Sequence, residues 1–134
     1  MEARDGVLIA CSDAVHRETL SDILKLWAME ATFVSTVEEV RALLERQAPA
    51  LVICEDQLDG GSCLEVLDVL SAAKSGARVV ALVRTESSYS EARQRGAFDA
   101  IPLPLRRSDL QWALIRAVQA KTPAPRKTSV TVRP

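Results

Sequence analysis

The chain predicts an α/β domain with a doubly wound, five-stranded parallel sheet, and three observations carry that prediction. Apolar runs too short for helices, Val7-Leu8-Ile9-Ala10, Leu51-Val52-Ile53-Cys54 and Val79-Val80-Ala81-Leu82-Val83, read as strands buried on both faces. Longer stretches at helical spacing separate them, which is the pattern of βαβ units. Three capping boxes, Thr36-x-x-Glu39, Ser62-x-x-Glu65 and Ser108-x-x-Gln111, mark helix starts.

Taken in order, the first strand leads into a helix over about residues 14–28, with Leu20, Ile23, Leu24 and Trp27 on one stripe. A second strand at 31–35 precedes the helix that Thr36 opens. The third strand ends near Cys54, Gly60-Gly61 suits the loop after it, and the third helix begins near Ser62. The fourth strand is followed by a helix over about 87–95 that stops at Gly96, and the last strand covers about 98–101. In the last helix Leu110, Ala113, Leu114, Ala117 and Val118 form the core stripe. Five strands alternating with five helices, joined by right-handed crossovers, give the strand order 2-1-3-4-5. Ligands in such sheets sit outside the carboxyl ends of strands one and three, which directs attention to Cys11-Ser12-Asp13 and Glu55-Asp56.

Composition agrees with one ordinary globular domain: of 134 residues 48% are hydrophobic and 26% charged. A chain of that length holds a full core without disulfides or structural metal. Residues 121–134 carry three prolines and four basic residues but no acid, so the domain is read as 1–120 and the remainder as a basic, proline-containing tail or linker. Net charge is −1 overall and −5 over 1–120, which gives no field to gather nucleic acid or an anionic membrane. The opening Met1-Glu2-Ala3-Arg4-Asp5 lacks a signal-peptide pattern, so a cytoplasmic location is expected. Cys11, Cys54 and Cys63 lack CxxC spacing and read as reduced thiols, and with one histidine no zinc or other metal centre is expected. No GxGxxG or GxxxxGK motif supports a nucleotide-binding enzyme, and no cofactor is expected.

Four stretches in the right order and spacing give the chain a family resemblance over about residues 6–120. They are Val7-Leu8-Ile9-Ala10-Cys11-Ser12-Asp13, Pro49-Ala50-Leu51-Val52-Ile53-Cys54-Glu55, Leu64-Glu65-Val66-Leu67, and Gly96-Ala97-Phe98-Asp99-Ala100-Ile101-Pro102-Leu103-Pro104. Together they resemble the receiver domains of two-component response regulators, whose flavodoxin-like fold has this strand order. The resemblance implies a phosphorelay signalling module. Active receivers hold Mg²⁺ on an acidic pair after strand one and accept phosphate on an aspartate ending strand three. A Thr or Ser ends strand four, and a Lys precedes the proline after strand five.

This chain departs from the pattern at each place. Cys11 and Ser12 replace the acidic pair, and a thiol and a hydroxyl are poor ligands for a hard ion; Asp13 could lend one carboxylate. Glu55 takes the phosphoacceptor place whether counted forward from Pro49 or back from Leu64. Strand alternation turns Asp56 to the other face unless a bulge re-aims it. Val83 stands for the hydroxyl residue, Leu103 for the lysine and Ala100 for the switching aromatic. The expected reading is a pseudo-receiver, not an enzyme, that acts by protein–protein interaction independently of phosphorylation. Its alternatives are displaced phosphoacceptor chemistry at Asp56, Glu55 as a permanent phospho-aspartate mimic, and a flavodoxin-like binder of an unrelated ligand.

Arg84, where the family has a small residue, either pairs with Glu55, Asp13, Asp56 or Asp59 and plugs the pocket, or points to water. Cys11 reads as a small filler, with a redox-sensing thiol as the alternative, and His16 as a surface residue of the first helix. Trp112 and Ile115, beside the core stripe of the last helix, and Ala100 are expected to mark the interaction surface. By resemblance, the fourth-helix, fifth-strand and fifth-helix face would meet a protein partner or a second copy of the chain.

Overall fold

Side chains alternate across the five buried strands, and that alternation divides the core into two apolar layers with the sheet between them. The computed structural model describes residues 6–119; the 120/121 boundary and the tail at 121–134 lie outside the described residues. Strands β1 (Val7–Ala10), β2 (Ala31–Val34), β3 (Leu51–Glu55), β6 (Arg78–Val83) and β7 (Asp99–Pro102) make one parallel sheet in the order β2-β1-β3-β6-β7, the expected 2-1-3-4-5. Between β3 and helix α3 (Cys63–Ala72), β4 (Gln57–Leu58) and β5 (Gly61–Ser62) form a small antiparallel hairpin. The sequence predicts only a loop there.

On one face Val7, Ile9, Leu51, Ile53, Val80, Leu82 and Ile101 meet helices α1 (Ala14–Leu26) and α5 (Arg107–Gln119) through Leu20, Ile23, Leu24, Leu110, Ala113, Leu114 and Ala117. On the other, Leu8, Ala10, Val52, Cys54, Ala81 and Val83 meet α2 (Val37–Leu44), α3 and α4 (Glu86–Gln94). Leucines and isoleucines fill the first layer, whereas small side chains such as Ala10, Cys54, Ala81, Ala92 and Ala100 let the second approach closely.

Caps set most helix starts. Thr36 and Ser62 form reciprocal capping boxes with Glu39 and Glu65, and Asp13 and Thr85 cap α1 and α4 with their side chains. The Ser108 box does not form: α5 already begins at Arg107, with the Arg106 carbonyl accepting from Leu110 N–H. Helices α1, α3 and α4 close alike, with Met29, Ser75 and Ala97 N–H donating to the carbonyls of Leu24, Leu70 and Ala92. The left-handed residue in the three closures is Ala28, Lys74 and Gly96. No helix among the described residues is long and apolar enough to cross a membrane.

Candidate functional site

The carboxyl ends of β1 and β3 lie side by side, because Ala10 pairs with Cys54 in the parallel register. Strand alternation puts Glu55, the last residue of β3, and Cys11, one step past β1, on the same side as Ile9 and Ile53, beneath the first turn of α1. Glu55 is 1% exposed, the one buried charged residue among those described. A carboxylate taken out of water this completely costs several kcal/mol in desolvation unless donors surround it.

Three donors do. The Cys11 thiol donates to Glu55 Oε1 at 3.2 Å, His16 Nδ1 stands 3.1 Å from Oε2, and Arg84 Nη2 donates to Oε2 at 2.9 Å. Arg84 reaches inward from the end of β6 while its side chain stays 45% exposed. The remaining acids take other roles. Asp56 Oδ2 accepts from Arg84 N–H at 3.2 Å, at the mouth of the pocket. Asp13 spends its carboxylate on the α1 N-terminus, accepting from Val15 N–H at 2.9 Å and His16 N–H at 3.0 Å. The bond from His16 N–H is the main reason its carboxyl is held below the usual range.

Ala100 and His16 both stand elsewhere than the sequence predicts. Ala100 is 7% exposed in the layer under α4, so it cannot lie on an interaction surface; the pairing of β7 with β6 turns it inward. His16 is no surface residue: its side chain is 16% exposed and faces Glu55. It occupies the first turn of α1, four residues before Leu20, and helical side chains lean toward the N-terminus, here toward the pocket mouth. Arg17, which no motif in the sequence singles out, also belongs to the site. Its Nε donates to the Cys11 carbonyl at 2.6 Å and its Nη2 to Ser35 Oγ at 2.7 Å, fixing the loop between β1 and α1. Val83 is buried, and Leu103 packs with the α1 and α5 layer, so neither brings a polar group to Glu55.

Burial pushes the Cys11 thiol up to about 12, with the hydrogen bond to Glu55 and its negative charge adding to the effect. At neutral pH the group is therefore a protonated donor to Glu55 and a poor nucleophile. The residues do not fit magnesium as active receivers hold it: one buried carboxylate faces the pocket, and an arginine and a histidine already occupy it.

An open α/β sheet with a polar pocket at the carboxyl ends of its first and third parallel strands defines a doubly wound domain with its site at the topological switch point. No family model matches the chain. It is 25% identical over 122 residues to the photosynthetic apparatus regulatory protein RegA of Rhodobacter capsulatus, a match covering 90% of this chain and 66% of that protein's length. Among solved structures, the receiver domain of sensor histidine kinase PA1611 from Pseudomonas aeruginosa, with magnesium in its active-site cleft, superposes with a TM-score of 0.77. It is 18% identical, with 86% of this chain and 98% of that one covered. NtrX from Brucella abortus gives 0.79 at 22% identity, covering 90% of this chain and 28% of its own. The co-crystal of the Saccharomyces cerevisiae phosphotransfer protein Ypd1 with the receiver domain of Ssk1 gives 0.78 at 14% identity, covering 93% and 96%. The chain has the receiver-domain fold of response regulators.

Proposed function

We propose that the domain is a pseudo-receiver: a signalling module of two-component type that works by protein–protein interaction and does not accept a phosphoryl group. The observation that carries this reading is the occupancy of Glu55, whose two oxygens are already engaged by Cys11, His16 and Arg84. Phosphoryl transfer needs an open acceptor carboxylate and a metal to neutralise developing charge. Here the acceptor is a buried glutamate with a guanidinium across it, the one buried charged residue among those described. The domain accordingly has no enzymatic step of its own and works in the cytoplasm.

A partner surface on the α4, β7 and α5 face fits the distribution of exposed apolar groups. Trp112 is 60% exposed and Ile115 half-buried on α5, and Tyr89 of α4 is exposed beside Pro102. Trp112 lies one helical turn before Arg116, which pairs with Asp99 of β7, so it sits along the free edge of the sheet. Ssk1 forms a complex with Ypd1 through a domain of this fold, which supports a protein partner as the ligand class. The alternative with Glu55 as a permanent phospho-aspartate mimic gains one supporting observation: Arg84 pairs with Glu55 and also lines a groove with Tyr89 and Pro102.

Incubating the chain with Mg²⁺ and a small phosphodonor and weighing it intact tests the main reading. No mass gain is expected. A gain of one phosphoryl group that vanishes in Asp56→Asn would overturn it in favour of displaced chemistry at Asp56.

A further inference from the structure

We propose that Cys11 Sγ, His16 Nδ1 and a Glu55 carboxylate oxygen form a site for one divalent transition metal ion of the zinc class. One ligand atom from each of the three residues lies within 4.8 Å of the others. The carboxylate meets its two neighbours through different oxygens, Oε1 at 3.2 Å from Cys11 Sγ and Oε2 at 3.1 Å from His16 Nδ1, so a single oxygen completes a tetrahedral set only after a small turn of the carboxylate. With metal–ligand bonds of about 2.0–2.3 Å, the edges of such a tetrahedron are about 3.3–3.8 Å. Thiolate, imidazole and carboxylate suit zinc, whereas magnesium selects oxygen alone. The replacement that removes magnesium, Cys11 for an acid, thus supplies a ligand that zinc prefers.

Each ligand comes from a separate element and is held there by other contacts. Cys11 sits in the β1–α1 loop clamped by Arg17, His16 in the turn capped by Asp13, and Glu55 at the end of the central strand β3. Cys11 and Glu55 are buried, and half-buried His16 closes the mouth. A fourth place would fall to water, since Asp13 Oδ1, 3.9 Å from His16 Nδ1, is taken by the α1 N-terminus. The other two cysteines, Cys54 and Cys63, lie in the opposite apolar layer and cannot join the set.

Arg84 is the competitor. A divalent ion with one thiolate and one carboxylate is a neutral unit, so the guanidinium on Glu55 Oε2 becomes an unbalanced positive charge once metal enters. Its half-exposed side chain can withdraw into the adjoining groove lined by Val83, Thr85, Glu86, Tyr89 and Pro102. On binding, the Cys11 S–H bond breaks, the sulfur–metal bond forms and the proton passes to water, with no change of oxidation state. Metal and arginine are alternative partners of one carboxylate, and the exchange would be felt at the groove. This proposal stands independently of the pseudo-receiver reading.

The test is titration of the untagged, full-length chain with Co²⁺ as a spectroscopic stand-in, then with Zn²⁺ in competition. One equivalent of Co²⁺ should bind with a thiolate-to-metal charge-transfer band, Zn²⁺ should abolish the band, and millimolar Mg²⁺ should leave it unchanged. Cys11→Ser should remove the band, His16→Gln should weaken binding at least tenfold, and Arg84→Gln should tighten it. His16→Gln keeps the readout meaningful if the buried Cys11→Ser variant fails to fold. Absence of Co²⁺ binding, or binding that keeps its affinity in His16→Gln and its spectrum in Cys11→Ser, would overturn the assignment.

Discussion

Arg84 holds both acids that leave the central strand: its Nη2 donates to Glu55 Oε2 at 2.9 Å and its backbone N–H donates to Asp56 Oδ2 at 3.2 Å. The strand end is thereby clamped through one residue, with Glu55 kept inside and Asp56 at the rim. This arrangement explains how a carboxylate survives at 1% exposure in an apolar layer.

Removing the guanidinium should therefore cost stability. A hydrogen bond to a charged group is worth about 1.5–3 kcal/mol, and the exposure of Arg84 discounts this below that range. Arg84→Ala is expected to destabilise the fold by about 1 kcal/mol. In a Glu55→Gln background the same change should cost little, giving a coupling of about 0.5 kcal/mol or more in a denaturation cycle. Additive effects would show that the pair contributes nothing to the fold.

Gly61 is fixed by space. A Cβ there would sit 2.6 Å from Val37 Cγ2 and 2.8 Å from Glu65 Oε1, the oxygen that accepts from Ser62 N–H in the α3 capping box. Gly61→Ala should destabilise by about 1–3 kcal/mol by overpacking. Gly76 has open space and no positive φ, so Gly76→Ala should be neutral or gain up to about 1 kcal/mol. Thermal melts of the two variants measure the contrast, and equal melting temperatures would refute the close contact.

Glu39 ties α2 to the chain before it. Its Oε1 accepts from Ser35 N–H at 2.7 Å and Thr36 N–H at 3.2 Å, and these bonds, that from Ser35 first, hold its carboxyl below the ordinary 4.5. A carboxyl lowered in the folded state contributes stability that is complete above its unfolded value and lost as pH falls through the folded one. Glu39→Gln should accordingly be less stable than wild type at neutral pH, and the two should converge as the pH is taken well below 4.5. Urea unfolding at several pH values checks this, and a gap independent of pH would contradict it.

The strands and their order were legible because buried parallel strands read as unbroken apolar runs, and Glu55 could be placed from both flanking motifs. His16 was legible too, had the stripe Leu20, Ile23, Leu24 and Trp27 been extended one turn toward the N-terminus, where residue 16 falls on the same face. The left-handed conformations of Ala28 and Lys74 were not, since neither residue advertises one as Gly96 does. The β4–β5 hairpin has two residues per strand, too few to show alternation. Convergence of Cys11, His16 and Glu55 depends on the register of β1 with β3 and the rotation of α1, neither of which a count of cysteines and histidines conveys.

The last prediction separates the surface from the pocket. Trp112 is 60% exposed on α5, away from the stripe of Leu110, Ala113, Leu114 and Ala117 that carries the packing, so its removal should leave the fold intact. An aromatic anchor buried at an interface commonly contributes about 2 kcal/mol or more, roughly thirtyfold in affinity. Trp112→Ala should thus weaken self-association in sedimentation, or partner capture, by that order, with its melting temperature close to wild type. Glu55→Gln should leave association unchanged if the surface works without the pocket, because buried Val83 and Ala100 carry no polar group to report the Glu55 charge. The opposite outcome, binding altered by Glu55→Gln and indifferent to Trp112→Ala, would mean that the Arg84 link between Glu55 and the groove governs the surface, and Glu55 as a permanent phospho-aspartate mimic would then be the better account.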